Sequence, residues 1–190
     1  MSITPLEHPL SSFKYCPKCG SPEFVVSTFK SKKCNSCGFH YFYNAAAAST
    51  VFIRNEKDEV LVATRATEPS KGTLDIVGGF VDFGESFDTT AVRETLEETG
   101  ITIQQDKLVY LYSLPNNYIF SEFLVSTCDA FFEYFVRSDI TFKAEDDVSK
   151  LQWIKINDLQ PNLFGLQSIR KAVDLYMQRF FSSNQGSTSN

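Results

Sequence analysis

Apolar and polar positions are organised differently in three stretches of the chain. Residues 1–12 show no periodic pattern and read as a flexible arm. Residues 13–39 are rich in Lys, Cys and Ser, with few apolar positions. From residue 45 onward, short apolar runs alternate with polar turns. Residues 45–54 and 59–65 are β-type runs flanking the turn-like residues 55–58, a hairpin pattern. Residues 74–81 read as a strand broken at Gly78-Gly79. The spacing then predicts a helix over Phe87–Thr99, with Ser86 or Asp88 as N-cap and Gly100 as its stop. Strands are expected over residues 108–114, 123–127, 130–137 and 148–154. A closing amphipathic helix is expected over residues 168–181, its apolar face carrying Ile169, Ala172, Val173, Tyr176 and Phe180. The Ser/Asn/Gly-rich residues 182–190 read as a disordered tail. Mixed strands with two well-placed helices argue for a layered α/β domain.

Composition narrows this picture. A chain of 190 residues suits a medium domain plus a small module. Hydrophobic content of 43% and charged content of 22% are ordinary for a soluble folded protein. With 18 Phe and one Trp, the core should be aromatic-rich. The net charge of −5 gives no general attraction to nucleic acid, and an anionic substrate needs a local cation. No stretch is long and apolar enough to span a bilayer, so no membrane role is expected. The first residues lack the basic and apolar regions of a signal peptide, which points to the cytoplasm. Thiols stay reduced there, so four of the five cysteines read as metal ligands rather than disulfides.

Cys16-Pro-Lys-Cys19 and Cys34-Asn-Ser-Cys37 are two Cys-x-x-Cys knuckles, each followed by glycine (Gly20, Gly38). Four thiolates so spaced can surround one Zn2+ tetrahedrally, leaving no open position for catalysis. A structural zinc ribbon over residues 13–40 follows. His40 is a spare residue beside it, and Cys128 reads as a buried, inert thiol. Lys14, Lys18, Lys30, Lys32 and Lys33 make the ribbon locally basic. Solubility is the favoured explanation, and nucleic-acid contact is possible without being required.

The chemistry concentrates between Gly79 and Ile101. Glu94, Glu97 and Glu98 are three and four residues apart and project toward one helix face. Like charges at that spacing repel by roughly a few tenths of a kcal/mol per pair. A divalent cation removes the repulsion, and clustered carboxylates are the hard oxygen ligands that Mg2+ prefers. Val92, Thr95, Leu96 and Thr99 lie on the other face and are expected to pack on the sheet.

Gly79, Glu85, Arg93, Glu94, Glu97, Glu98, Gly100 and Ile101 fall in the register of the Nudix box, and the chain resembles that hydrolase family. Thr95 departs from the pattern, standing where an aliphatic residue is usual. The resemblance implies an α/β/α sandwich with a mixed sheet over residues 41–181, preceded by the zinc ribbon. It implies Mg2+ (or Mn2+) held by Glu94, Glu97, Glu98 and the Gly79 carbonyl, with Glu85 supporting Arg93 and Arg93 orienting the glutamates. Many relatives carry an acid just before a later strand, so Asp147, with Glu145 behind it, is the candidate general base. The ribbon resembles the NADH pyrophosphatase branch, and Pro115 has a spacing similar to that in ADP-ribose pyrophosphatases. Ser113, Pro115 and Ser121 fit the former branch's motif, whose Trp and two further prolines are missing. Tyr118, Phe120 and Phe123 are candidates to stack a nucleobase, although core packing is the commoner role.

The implied activity is Mg-dependent cleavage of the pyrophosphate bond in a nucleoside diphosphate linked to another moiety, such as ADP-ribose or NAD(H). The alternative is a non-catalytic nucleotide or nucleic-acid sensor that uses the ribbon. Dimers are common in the family, so a homodimer is also implied.

Overall fold

The computed structural model describes residues 8–185, with side chains through residue 182. Residues 1–7 of the expected arm and residues 186–190 of the expected tail lie outside the described residues. The chain divides into two compact units, Met1–Ala45 and Ala46–Asn190. No helix among the described residues is long and apolar enough to cross a membrane.

The small unit is an antiparallel sheet of β1 (Phe24–Thr28), β2 (Ser31–Cys34) and β3 (His40–Phe42). Tyr41 and Phe42 pair with Lys32 and Ser31, so the ribbon runs past its expected end at residue 40. Residues 8–12 differ from the expected flexible arm. The Ser11 amide donates to the His8 carbonyl at 2.7 Å, and Leu10 is fully buried. Cys16, Phe24 and Cys34 form a buried cluster in this unit, with Phe39 packed on it.

The large unit is built on a mixed sheet in the order β10-β5-β4-β9-β8. Its strands are β4 (Ala46–Arg54), β5 (Glu59–Arg65), β8 (Val109–Phe120), β9 (Phe123–Phe135) and β10 (Val148–Lys155). Two short strands, β6 (Leu74–Asp75) and β7 (Gly78–Phe80), pair with β5 and β4. Within the order, β4 and β9 run parallel over nine register positions, and the other neighbours are antiparallel. The expected strand over residues 74–81 therefore breaks at Ile76-Val77, where the chain crosses from β5 to β4, and not at the glycines.

The alternation of side chains along β4 divides the core in two. Val51 and Ile53 join Leu61, Val77, Ala91 and Ile101 beneath α1 (Phe87–Thr99). Phe52 joins Val60, Val62, Leu114 and Phe131 beneath α2 (Gln167–Gln185), which contributes Ile169, Ala172, Val173 and Tyr176. Phe52 and Tyr176 stack with ring centroids 4.2 Å apart. Helix α2 continues to Gln185, past the expected end at residue 181.

The β8–β9 hairpin is longer than its sequence pattern. Pro115 lies within β8, an edge strand, where a missing amide donor is tolerated. Asp129 lies within β9, its carboxylate accepting from the hydroxyls of Thr127 and Ser168, each at 2.5 Å. Ser121 and Glu122 turn the chain with φ of 49° and 60°. Cys128 is exposed, contrary to expectation, because Thr127 and Asp129 on either side point inward.

Candidate functional site

Helix α1 begins and ends where its sequence predicts. Ser86 accepts from the Thr89 amide, and Gly100 is left-handed with its amide donating to the Leu96 carbonyl at 2.8 Å. The last turn carries no basic residue and holds Glu97 and Glu98 instead. A helix C-terminus disfavours anions by roughly 0.3–1 kcal/mol each, so this placement needs compensation from outside the helix. Two carbonyls there are taken by the loop before β10. The Lys143 amide donates to Thr99 at 3.0 Å and the Glu145 amide to Glu98 at 3.1 Å.

The buried face of α1 is Thr90, Ala91, Thr95, Glu98 and Thr99. Thr95 costs little where an aliphatic is usual, because its hydroxyl donates to the Ala91 carbonyl at 2.7 Å. Leu96 is 48% exposed and is not a packing residue as expected. Ala91 fills that role.

The three glutamates diverge in burial. The Glu94 side chain is 13% exposed and that of Glu97 45%, while Glu98 is buried. The i and i+4 residues turn inward, and the i+3 residue stands at the rim. Two adjacent glycines fix the inward pair. The Gly78 amide donates to Glu98 Oε2 at 2.9 Å. The Glu94 carboxylate lies against Gly79, where a Cβ would meet Oε1 at 2.3 Å.

Arg93 ties the acids together. Its Nε and Nη2 donate to the two oxygens of Glu85 at 2.8 and 2.9 Å, and Nη2 also donates to the Phe80 carbonyl. Its Nη1 donates to Glu94 at 2.8 Å and Glu97 at 2.9 Å. Thr90 donates to Glu85 from the other side. The guanidinium holds Glu85 down at about 2. Burial pushes Glu98 well above the usual carboxylate range; the Gly78 amide opposes this, and the charges of Asp75, Glu94 and Asp147 add to it. Glu94 is also raised by burial, against the pull of Arg93.

Glu98 and Gly79 border a cavity of about 160 Å3 between β7, the β8–β9 hairpin and the start of α2. Asp147 and Tyr118, both expected at the site, line it. Phe120 and Phe123 do not line it; they pair with each other at the hairpin tip. Glu145 is tied to Lys143 at 2.6 Å. The sequence pattern gave no sign of several other lining residues. Arg65 pairs with Asp75, a half-buried acid whose pKa burial raises. Asn116 and Asp129 stand on the hairpin wall. No local spacing marks such groups, since each depends on strands brought together by the fold. Gly78 was visible only as half of a Gly-Gly pair.

In the small unit, one sulfur atom of each of Cys16, Cys19, Cys34 and Cys37 lies within 4.8 Å of the others. Both knuckles turn alike: Gly20 and Gly38 are left-handed, and their amides donate to the backbone carbonyls of Cys16 and Cys34 at 2.8 and 3.0 Å. The box glutamates are not drawn together so tightly. His40 stays outside the cluster, its Nε2 3.0 Å from Ser31 Oγ.

A mixed α/β sandwich with an acidic helix beside a cavity, and a four-cysteine ribbon as a separate unit, is the class defined by fold and site. The NUDIX domain family matches residues 44–175, and the chain belongs to that family. It is 29% identical over 166 residues to the NAD-capped RNA hydrolase NudC of Pseudomonas aeruginosa (strain LESB58), covering 87% of this chain and 56% of that protein. The chain thus spans about half the length of the curated relatives it matches. A NUDIX hydrolase structure from Nitrosomonas europaea superposes with a TM-score of 0.66 at 20% identity, covering 87% of this chain and 90% of that one. The bifunctional NMN adenylyltransferase/ADP ribose pyrophosphatase of Francisella tularensis, complexed with AMP and a Mn ion, gives 0.58 at 19% identity, covering 73% and 42%. At these identities the two structures establish the shared fold alone.

Proposed function

We propose that this chain is a divalent-metal-dependent pyrophosphohydrolase cutting the diphosphate of a nucleotide joined to a second moiety, with NAD(H) and ADP-ribose as the substrate class. The observation that carries the reading is Glu98 on the cavity wall, held by the Gly78 amide, with Glu94 one helical turn before it against Gly79, which also lines the cavity. The similarity to a relative described as a hydrolase of NAD-capped RNA supports an NAD-type end.

The donor set fits Mg2+ or Mn2+. It consists of hard carboxylate oxygens, crowded by like charge and raised by burial. Such an ion, when bound, supplies positive charge against the diphosphate and acidifies water. Glu94 and Glu98 are its principal ligands in this reading, with Glu97 and the Gly79 carbonyl assisting. Arg93, anchored by Glu85, keeps the glutamates aimed. Asp147, on the cavity wall, accepts the proton of the attacking water, with Glu145 as the second choice. Tyr118 supplies a ring surface on the same wall. The four cysteines hold a structural Zn2+.

The test is a product-resolved chromatographic assay with Mg2+ or Mn2+ on NADH, NAD+, ADP-ribose, diadenosine polyphosphates and nucleoside triphosphates. Two monophosphates are expected from the NAD-type or ADP-ribose substrates. Glu98→Gln should lower turnover at least ~100-fold with no loss of melting temperature. Undiminished turnover by that variant would remove the metal assignment, and no turnover of any substrate would remove the enzymatic one.

A further inference from the structure

One wall of the cavity holds a polar atom with nothing to bond. Asn116 lines the cavity and is 3% exposed, and its Oδ1 has no hydrogen-bond partner. Nearly all buried amide oxygens are paired, and an orphan bears the full cost of leaving water.

Its neighbours show what it awaits. Asn116 on β8 faces Thr127 on β9 and is diagonal to Asp129 on the same side of the pair. The hydroxyls of Thr127 and Ser168 both donate to Asp129, so their protons are already committed. Farther along the wall, Arg65 donates from Nε to the Pro69 carbonyl and from Nη1 to Asp75. This corner therefore offers a ligand two acceptors, the Asn116 carbonyl and the lone pairs of Asp129 that the two hydroxyls leave over, beside the Nδ2 donor of Asn116 itself. The complement of such a wall is a nitrogen carrying two protons, which can bridge neighbouring acceptors. The volume of about 160 Å3 suits one ring-sized group, well below the roughly 300–1,000 Å3 of sites that enclose a whole drug-sized ligand.

We propose that Asn116, with Asp129 beside it, is a specificity subsite that reads the exocyclic NH2 of a substrate ring. That group is either the amino group of an adenine-type base or the carboxamide of a nicotinamide-type ring. The proposal rests on the hydrolase reading above and deepens it.

Matched substrate pairs decide it on the wild-type protein. One pair is ADP-ribose and its hypoxanthine counterpart, in which oxygen replaces the amino group. The other is NAD+ and its nicotinic acid counterpart, in which a carboxylate replaces the carboxamide. A preference in kcat/KM of roughly 10- to 100-fold for the amino-bearing member is expected in one pair and near-parity in the other. The pair that responds names the ring. Asn116→Leu and Asn116→Ala should erase the preference, with the loss falling on the amino-bearing substrate mainly through KM. Equal efficiency within both pairs, a preference for the oxygen-bearing member, or a preference that survives in folded Asn116 variants would overturn the subsite and leave the hydrolase reading standing. If no substrate is turned over, the hydrolase reading has failed. Calorimetric affinities of the same pairs then decide the subsite by the same ratios.

Discussion

The carboxylate of Glu94 lies against the Cα of Gly79, so close that a Cβ at residue 79 would meet Oε1 at 2.3 Å and Oε2 at 2.8 Å. The obstacle is the far end of a flexible side chain, so Gly79→Ala should fold and push Glu94 aside. Divalent-metal affinity measured by calorimetry is expected to fall about 10- to 100-fold, with a small change in melting temperature. Gly78→Ala differs in kind. There a Cβ would meet the Ser49 carbonyl oxygen at 2.2 Å and Thr50 Cα at 2.7 Å, both backbone, from a φ of 151°. It should lose stability by about 1–3 kcal/mol or more. Identical melting and metal binding in the two variants would contradict the assignment of separate roles to the two glycines.

Arg93 hydrogen-bonds three carboxylates and a carbonyl, which only a planar fork can do at once. Arg93→Lys keeps the charge and loses the fork, and kcat is expected to drop about 10- to 100-fold. A pH series adds an independent reading. Glu85, held at about 2 from an ordinary 4.5, has a depressed folded-state pKa. Its contribution to stability is present above pH 4.5 and is lost as pH falls toward 2. The stability gap between wild type and Arg93→Lys should therefore narrow between about pH 5 and pH 3 in urea melts. A constant gap across that range would mean that Arg93 does not set the Glu85 pKa.

The parts of the site legible in the sequence are those fixed by one helix. Ser86, Gly100 and the spacing of Glu94, Glu97 and Glu98 are local signals, and α1 follows them. Periodicity gave the face of α2 for the same reason. What escaped depends on pairing across the sheet. The expected strands stop short of Pro115 and Asp129, and both join the sheet because β8 is an edge and Ser168 supplies Asp129 with a proton. Leu96 was expected inside from its helix face and Cys128 from its residue type, and both are exposed. Phe120 and Phe123 were chosen for their rings, yet the hairpin carries them past the cavity. The partners in Arg65–Asp75 and the neighbours of Asn116 lie too far apart in the chain to leave a pattern.

Asp129 gives a pH prediction of the opposite sign. Burial raises its pKa above the ordinary 3.8, and the hydroxyls of Ser168 and Thr127 only partly offset this. A carboxyl whose folded-state pKa is raised contributes fully below its unfolded pKa. That contribution is lost as pH rises through the folded value. Asp129→Asn removes this titration, and both hydroxyls can still bond an amide. Relative to wild type, the variant should gain stability as pH rises from about 4 to 7. Glu98 titrates in both proteins, and Asp75, which the Asp129 charge helps to raise, changes in the same direction when that charge is removed, so the difference reports Asp129 and its coupling to Asp75. A difference that stays flat or reverses over this range would show that the Asp129 carboxylate is well solvated or fully compensated.

The small unit has too little apolar interior to fold unaided. Its buried cluster is Cys16, Phe24 and Cys34 with Phe39 beside them, and two of these are ligands of the proposed zinc site. Units of this size fold when a metal joins their knuckles, because the metal's binding energy becomes folding energy. The purified protein should carry one Zn2+ per chain by elemental analysis. Stripping it with a chelator, or replacing Cys34 with Ser, should collapse hydrogen-exchange protection across β1, β2 and β3. Protection of β4, β5 and β9 should be retained, since their cores beneath α1 and α2 contain none of the four clustered cysteines. Unchanged protection of β1 to β3 in metal-free protein would show that the ribbon is held by something other than zinc. Loss of protection in both units together would show that the metal stabilises the whole chain.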